Sequence, residues 1–87
     1  MRVKGRYLKM RKVKIKLNSI DDVKNFVQAA SQFNSDIDLV SSRYVIDAKS
    51  ILGLFSLDLS HPVTLRIEDD KEADDIIETM KEFIVEE

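Results

Sequence analysis

The sequence has no cysteine, no tryptophan, one proline, one histidine and two glycines. Without cysteine there are no disulfides and no thiolate metal sites, which fits a reducing compartment. So little glycine and proline argues against an all-β fold strung on tight turns and against low-complexity disorder. A lone histidine has no second imidazole beside it to complete a metal site or an acid–base pair. No apolar run approaches the ~18 residues a membrane span requires. The basic N-terminus lacks the apolar core of a signal peptide, so a cytoplasmic location is expected. Eighty-seven residues make one domain at most. A chain of that size hides roughly 60% of its unfolded surface, enough for a modest single core.

What is present is charged and uneven. Residues 1–17 carry eight Lys/Arg and no acid, a charge of +8; residues 18–87 carry six Lys/Arg and sixteen Asp/Glu, a charge of −10. The net −2 conceals this asymmetry. The basic arm is expected to lie against the acidic remainder of its own domain. Nucleic acid is the weaker reading, because no aromatic-studded basic surface accompanies the arm. We divide the chain into a basic N-terminal extension, 1–11, and a domain, 12–87.

Periodicity sets the element order within that domain. Val13, Ile15 and Leu17 alternate with Lys12, Lys14 and Lys16, the pattern of a half-buried strand over 12–17. Ser19, with Asp22 three residues on, opens a helix in the manner of a capping box. Val23, Phe26, Val27, Ala30 and Phe33 form its apolar face, and it should fade near Asn34-Ser35. Ile37–Val40 and 43–48 read as two strands joined at Ser41-Ser42. Val63, Leu65 and Ile67 give a fourth strand behind Pro62, where a missing N–H does least harm. Asp69 or Asp70 caps a last helix with Ala73, Ile76, Ile77, Met80 and Phe83/Ile84 on one face. The order is β-α-β-β-α-β-α, an α+β fold with three helices on one face of a four-stranded sheet.

Between the third and fourth strands, Lys49-Ser50 leads into Ile51-Leu52-Gly53-Leu54-Phe55, a short helix over 50–57. Ser50 is a natural N-cap, since its hydroxyl can accept from a first-turn N–H. The apolar residues are too many for one buried stripe on two turns. Leu54 is expected in the core, Leu52 and Phe55 at the surface, and Ile51 at the edge, which makes a contact surface. A hydroxyl at a helix start also suits a phosphate, with Lys49 beside it to accommodate the added charge.

Two segments carry a family resemblance. VQAASQFNSDIDL (27–39) and DAKSILGLFSL (47–57) resemble the first helix with second strand, and the regulatory serine segment, of the histidine-containing phosphocarrier (HPr) proteins of the bacterial phosphoenolpyruvate–sugar phosphotransferase system. The resemblance covers about 12–85. It implies an open-faced β-sandwich with an antiparallel sheet in the order 1-4-2-3. It also implies that Ser50 matches the serine phosphorylated by an ATP-dependent kinase, and that Lys49, Ile51, Leu52 and Phe55 belong to the docking patch around it. The family's phosphorylated histidine opens the first helix and is followed by arginine and proline. Here that place reads Asn18-Ser19-Ile20-Asp21-Asp22-Val23, with none of the three and with Ser19 in the histidine's position. A phosphohistidine needs a neutral imidazole and donors that steady the phosphoryl oxygens, whereas two carboxylates repel them.

The expectation is therefore a non-enzymatic regulatory or adaptor relative, similar in its missing histidine to the catabolite repression branch of the family. Its implied partners are a serine kinase and phosphatase, a transcription regulator or other phosphotransferase-system proteins. No cofactor or metal is expected: Asp21/Asp22, Asp69/Asp70 and Asp74/Asp75 sit where helix starts and wet faces favour carboxylates. The alternatives are a carrier acting through His61 or Ser19, and a divergent binding domain with unrelated partners.

Overall fold

The structure is a computed structural model and describes residues 11–42, 44–68 and 70–85. Its elements are β1 (Arg11–Ile15), α1 (Ile20–Ala30), β2 (Ile37–Ser41), β3 (Tyr44–Asp47), α2 (Ile51–Phe55), β4 (Val63–Ile67) and α3 (Asp70–Thr79), with a 3-10 turn at Lys81–Phe83. The strands form one antiparallel sheet in the order β1-β4-β2-β3, as the resemblance implies.

Alternation places the two sides of the sheet. Ile15, Ile37, Leu39, Val63, Leu65 and Ile67 are buried, while Lys12 and Lys14 of the opposite face are exposed. The buried face meets Val23, Phe26 and Ala30 of α1, Leu54 of α2, and Ala73 and Ile76 of α3 in one core. Each helix thus spends its single apolar stripe on the same side of the sheet. On the open side, Arg66 of β4 reaches across to Asp38 of β2 at 2.8 Å.

Several boundaries differ from the sequence reading. Arg11, assigned by composition to the extension, is the first residue of β1 and pairs with Ile67; residues 1–10 lie outside the described residues. β1 leaves the β4 ladder after Ile15, not at Leu17. The reason is the C-terminal segment. Lys16 N donates to Phe83 O at 2.9 Å and Val85 N to Lys14 O at 2.9 Å, so residues after the 3-10 turn flank the outer edge of β1. α2 is shorter than 50–57, and Ser41 is a strand residue paired with Tyr44. The hairpin turn therefore sits one residue later, with Ser42 in the left-handed region at φ 52°. The Asp69 cap lies outside the described residues.

One contact ties α3 to the α1–β2 connection. Glu72 Oε1 accepts from Asn34 N at 3.1 Å, Ser35 N at 2.9 Å and Ser35 Oγ at 2.6 Å. Ser35 is buried, so the two bonds it donates satisfy groups shielded from water.

Candidate functional site

Two helix starts and the connector after α2 build the site. At the first, Ser19 is the N-cap of α1 in extended conformation, and its Oγ accepts from Asp22 N at 3.1 Å. Asp22 answers by accepting from Asn18 N at 2.9 Å, one residue further out than a capping box requires. The expected pairing of Ser19 and Asp22 is thus present. Lys16 Nζ donates to Asn18 Oδ1 at 3.0 Å and to Leu59 O at 3.1 Å, fastening this helix start to the connector.

At the second start, Ser50 caps α2, its Oγ accepting from Gly53 N at 3.1 Å. The turn before it is bonded too: Asp47 Oδ1 accepts from Lys49 N at 2.9 Å and Asp47 O from Ser50 N at 3.0 Å. Lys49 reaches a different element. Its ammonium donates to Phe33 O at 2.7 Å, just past the end of α1.

Around Ser50 the apolar residues divide as their spacing suggests. Leu54 is fully buried, Leu52 is 80% exposed, Phe55 47% and Ile51 36%. Gly53 makes this arrangement possible, since a Cβ there would meet Ile46 Cγ2 at 2.6 Å. Ile46 is β-branched and half-buried, so it has little freedom to yield. Gly53→Ala is expected to destabilise the fold by about 1–2 kcal/mol, overpacking outweighing the gain in helix propensity. Double-mutant denaturation with Ile46→Ala checks it. Additive effects would show that the two side chains do not collide.

The start of α1 and the end of α2 meet in a cleft of about 460 Å³ lined by Lys16, Ser19, Ile20, Val23, Phe55 and Leu57, among others. Ile20 is a residue the sequence reading missed. It is 63% exposed, yet it keeps helical register with Val23 and Val27. Periodicity alone assigns it to the core stripe, and only the packing shows that it stands exposed at the rim of the cleft. His61 does not line this cleft. It is exposed on the other side, beside Lys14, Val40, Asp58 and Thr64. Asp58 accepts from Ser60 Oγ and Ser60 N, which holds its carboxyl below the usual carboxylate range. Among the described residues no cluster of His, Asp or Glu is placed to hold a metal ion, and no helix is long and apolar enough to cross a membrane.

A family model described as the PTS HPr component phosphorylation site matches residues 22–86. The chain belongs to the HPr family. Its fold is the phosphocarrier fold related to the phosphotransferase system, whose HPr members carry phosphoryl groups rather than catalyse, and membership implies interaction with proteins of that system. Among solved structures, the chain is similar to HPr-C-His from Thermoanaerobacter tengcongensis. Identity is 28% and the TM-score 0.64, covering 84% of this chain and 86% of that one. It also resembles a phosphocarrier protein HPr from Bacillus anthracis, at 24% identity and a TM-score of 0.69, covering 87% and 95%. The latter likeness supports the fold alone. A search of curated proteins found no match. The matched family span begins at Asp22, so it includes the whole Ser50 segment and excludes Ser19 and the loop before it.

Proposed function

We propose that this HPr-family chain is a non-catalytic, cytoplasmic regulatory or adaptor protein that docks partner proteins around Ser50, with phosphorylation of Ser50 as its switch. The observation that carries the reading is the contrast between the two helix starts. The α2 start keeps a hydroxyl with Leu52, Phe55 and Ile51 exposed beside it. The α1 start carries a hydroxyl engaged as a cap in the same way, but with two carboxylates beside it and no imidazole. A serine phosphate ester is a poor phosphoryl relay, but as a signal it adds about −1.5 to −2 charges. The partners in this reading are a serine kinase and phosphatase and a transcription regulator or other phosphotransferase-system proteins. The basic N-terminal segment is an extension of the docking domain.

Incubation with ATP and the serine kinase of the system is the test. The kinase transfers the γ-phosphoryl group to Ser50 Oγ, which loses its proton, and ADP leaves. Wild type is expected to gain one phosphoryl group and Ser50→Ala none, read by intact mass. Equal uptake by both would reduce Ser50 to a cap. Incubation with phosphoenolpyruvate and the general phosphotransferase enzyme is expected to leave the chain unmodified. Acid-labile phosphate on it would overturn the non-catalytic reading.

A further inference from the structure

Lys49 follows Asp47 and precedes Ser50, yet its ammonium is spent on a carbonyl of a different element. It donates to Phe33 O at 2.7 Å and forms no ion pair among the described residues. It is half-buried, in a cleft it shares with Asp36, Asp38, Asp47 and Glu68. A cation held by one neutral acceptor is the group most easily drawn to a new anion. Against a phosphate both partners carry charge, so Coulomb attraction adds to the charge-assisted hydrogen bond the ammonium already makes. Consecutive Cα atoms lie about 3.8 Å apart, so an anion on Ser50 is within reach of the lysine side chain.

We infer that Lys49 is a two-position latch. In the unmodified chain it fastens the turn after α1 through Phe33 O. When Ser50 carries a phosphoryl group, the ammonium moves to the phosphate oxygens and the Phe33 carbonyl is released. The turn then keeps its other holds, Glu72 on Asn34 and Ser35 and the Phe33 N bond to Ala30 O. Modification at α2 is thereby communicated to the turn after α1. Lys49 acts here as a positioning residue. The cleft carboxylates oppose its departure, but none is within 4.0 Å of the ammonium as an ion pair.

The inference rests on Ser50 as the modified residue, and its test does not depend on any kinase. The full chain is assembled by ligation with phosphoserine at position 50, and the Phe33 carbonyl is labelled with carbon-13. Its resonance is expected to move on phosphorylation to the position it takes in unmodified Lys49→Met, with no further movement when both changes are combined. Phosphatase treatment should restore it. A Phe33 carbonyl that ignores the phosphate, or ignores Lys49→Met, overturns the latch. A second measurement guards against a disturbed fold in the methionine variant. The phosphorus-31 titration of phosphoserine should shift upward in pH when Lys49 is replaced by methionine, and remain near the wild-type position with Lys49→Arg. An unchanged titration in the methionine variant also overturns it.

Discussion

Phe26→Ala should cost about 3–5 kcal/mol of folding stability. Phe26 is fully buried on α1, and its ring meets that of Phe83 edge-on, with centroids 5.8 Å apart and planes at 77°. Truncation removes the transfer free energy of a large side chain, leaves a cavity, and forfeits an aromatic pair worth about 0.5–1.5 kcal/mol beyond its area. It also loosens a distant element. Phe83 belongs to the 3-10 turn whose carbonyl takes Lys16 N, and the residues after that turn flank β1. A chain of this length has about 4–13 kcal/mol in total. The variant is therefore expected to lose about a quarter or more of its stability, with a midpoint fall of about 12–40 °C. Urea denaturation with the slope unchanged measures it. A loss under 1 kcal/mol would mean that Phe26 does not anchor the α1–C-terminal packing. Phe26→Leu, which nearly conserves volume, should lose much less.

Leu52→Asp should weaken partner docking by about thirtyfold or more without unfolding the chain. Leu52 projects into solvent, so its replacement changes stability by no more than about 0.5 kcal/mol. At the centre of a buried interface the same change places an unpaired carboxylate against an apolar surface. Hot-spot losses there exceed about 2 kcal/mol. Phe55→Ala should act similarly on binding, with a larger loss of stability, because Phe55 also lines the cleft toward Ile20. Calorimetric titration of the serine kinase with each variant supplies the measurement. Affinity within twofold of wild type for both would remove the docking surface, whereas a loss for Ile20→Asp as well would extend it onto α1.

The element order was legible because each segment carries a strong period: two in Lys12–Leu17 and Val63–Ile67, and 3.6 in Val23–Phe33 and Ala73–Met80. The Ser50 cap and the division of Leu54 from Leu52 and Phe55 were legible for a local reason. A helix this short must expose what does not fit its single stripe. Ile20 was not, since a helix position left exposed at the rim of a cleft has the same periodicity as a buried one. The C-terminal segment beside β1 was equally invisible, because residues 83–85 show no strand pattern of their own. The place of the Lys49 ammonium was also beyond the sequence. Proximity to Ser50 in the chain suggested a phosphate partner, while the fold brings Phe33 O within 2.7 Å.

Set side by side, the two helix starts show where sequence ends and tertiary structure begins. Sequence alone determined that one start has Asn-Ser-Ile-Asp-Asp and no histidine, and that the other has Lys-Ser-Ile-Leu-Gly, for residue identity and local capping chemistry need no neighbours. Only the tertiary structure decided that the start of α1 and the end of α2 share a cleft with Ile20 and Phe55 on its walls, and that Lys49 is tied to the turn after α1. Those facts depend on antiparallel strand pairing, which joins residues far apart in the chain and whose geometry no local pattern encodes.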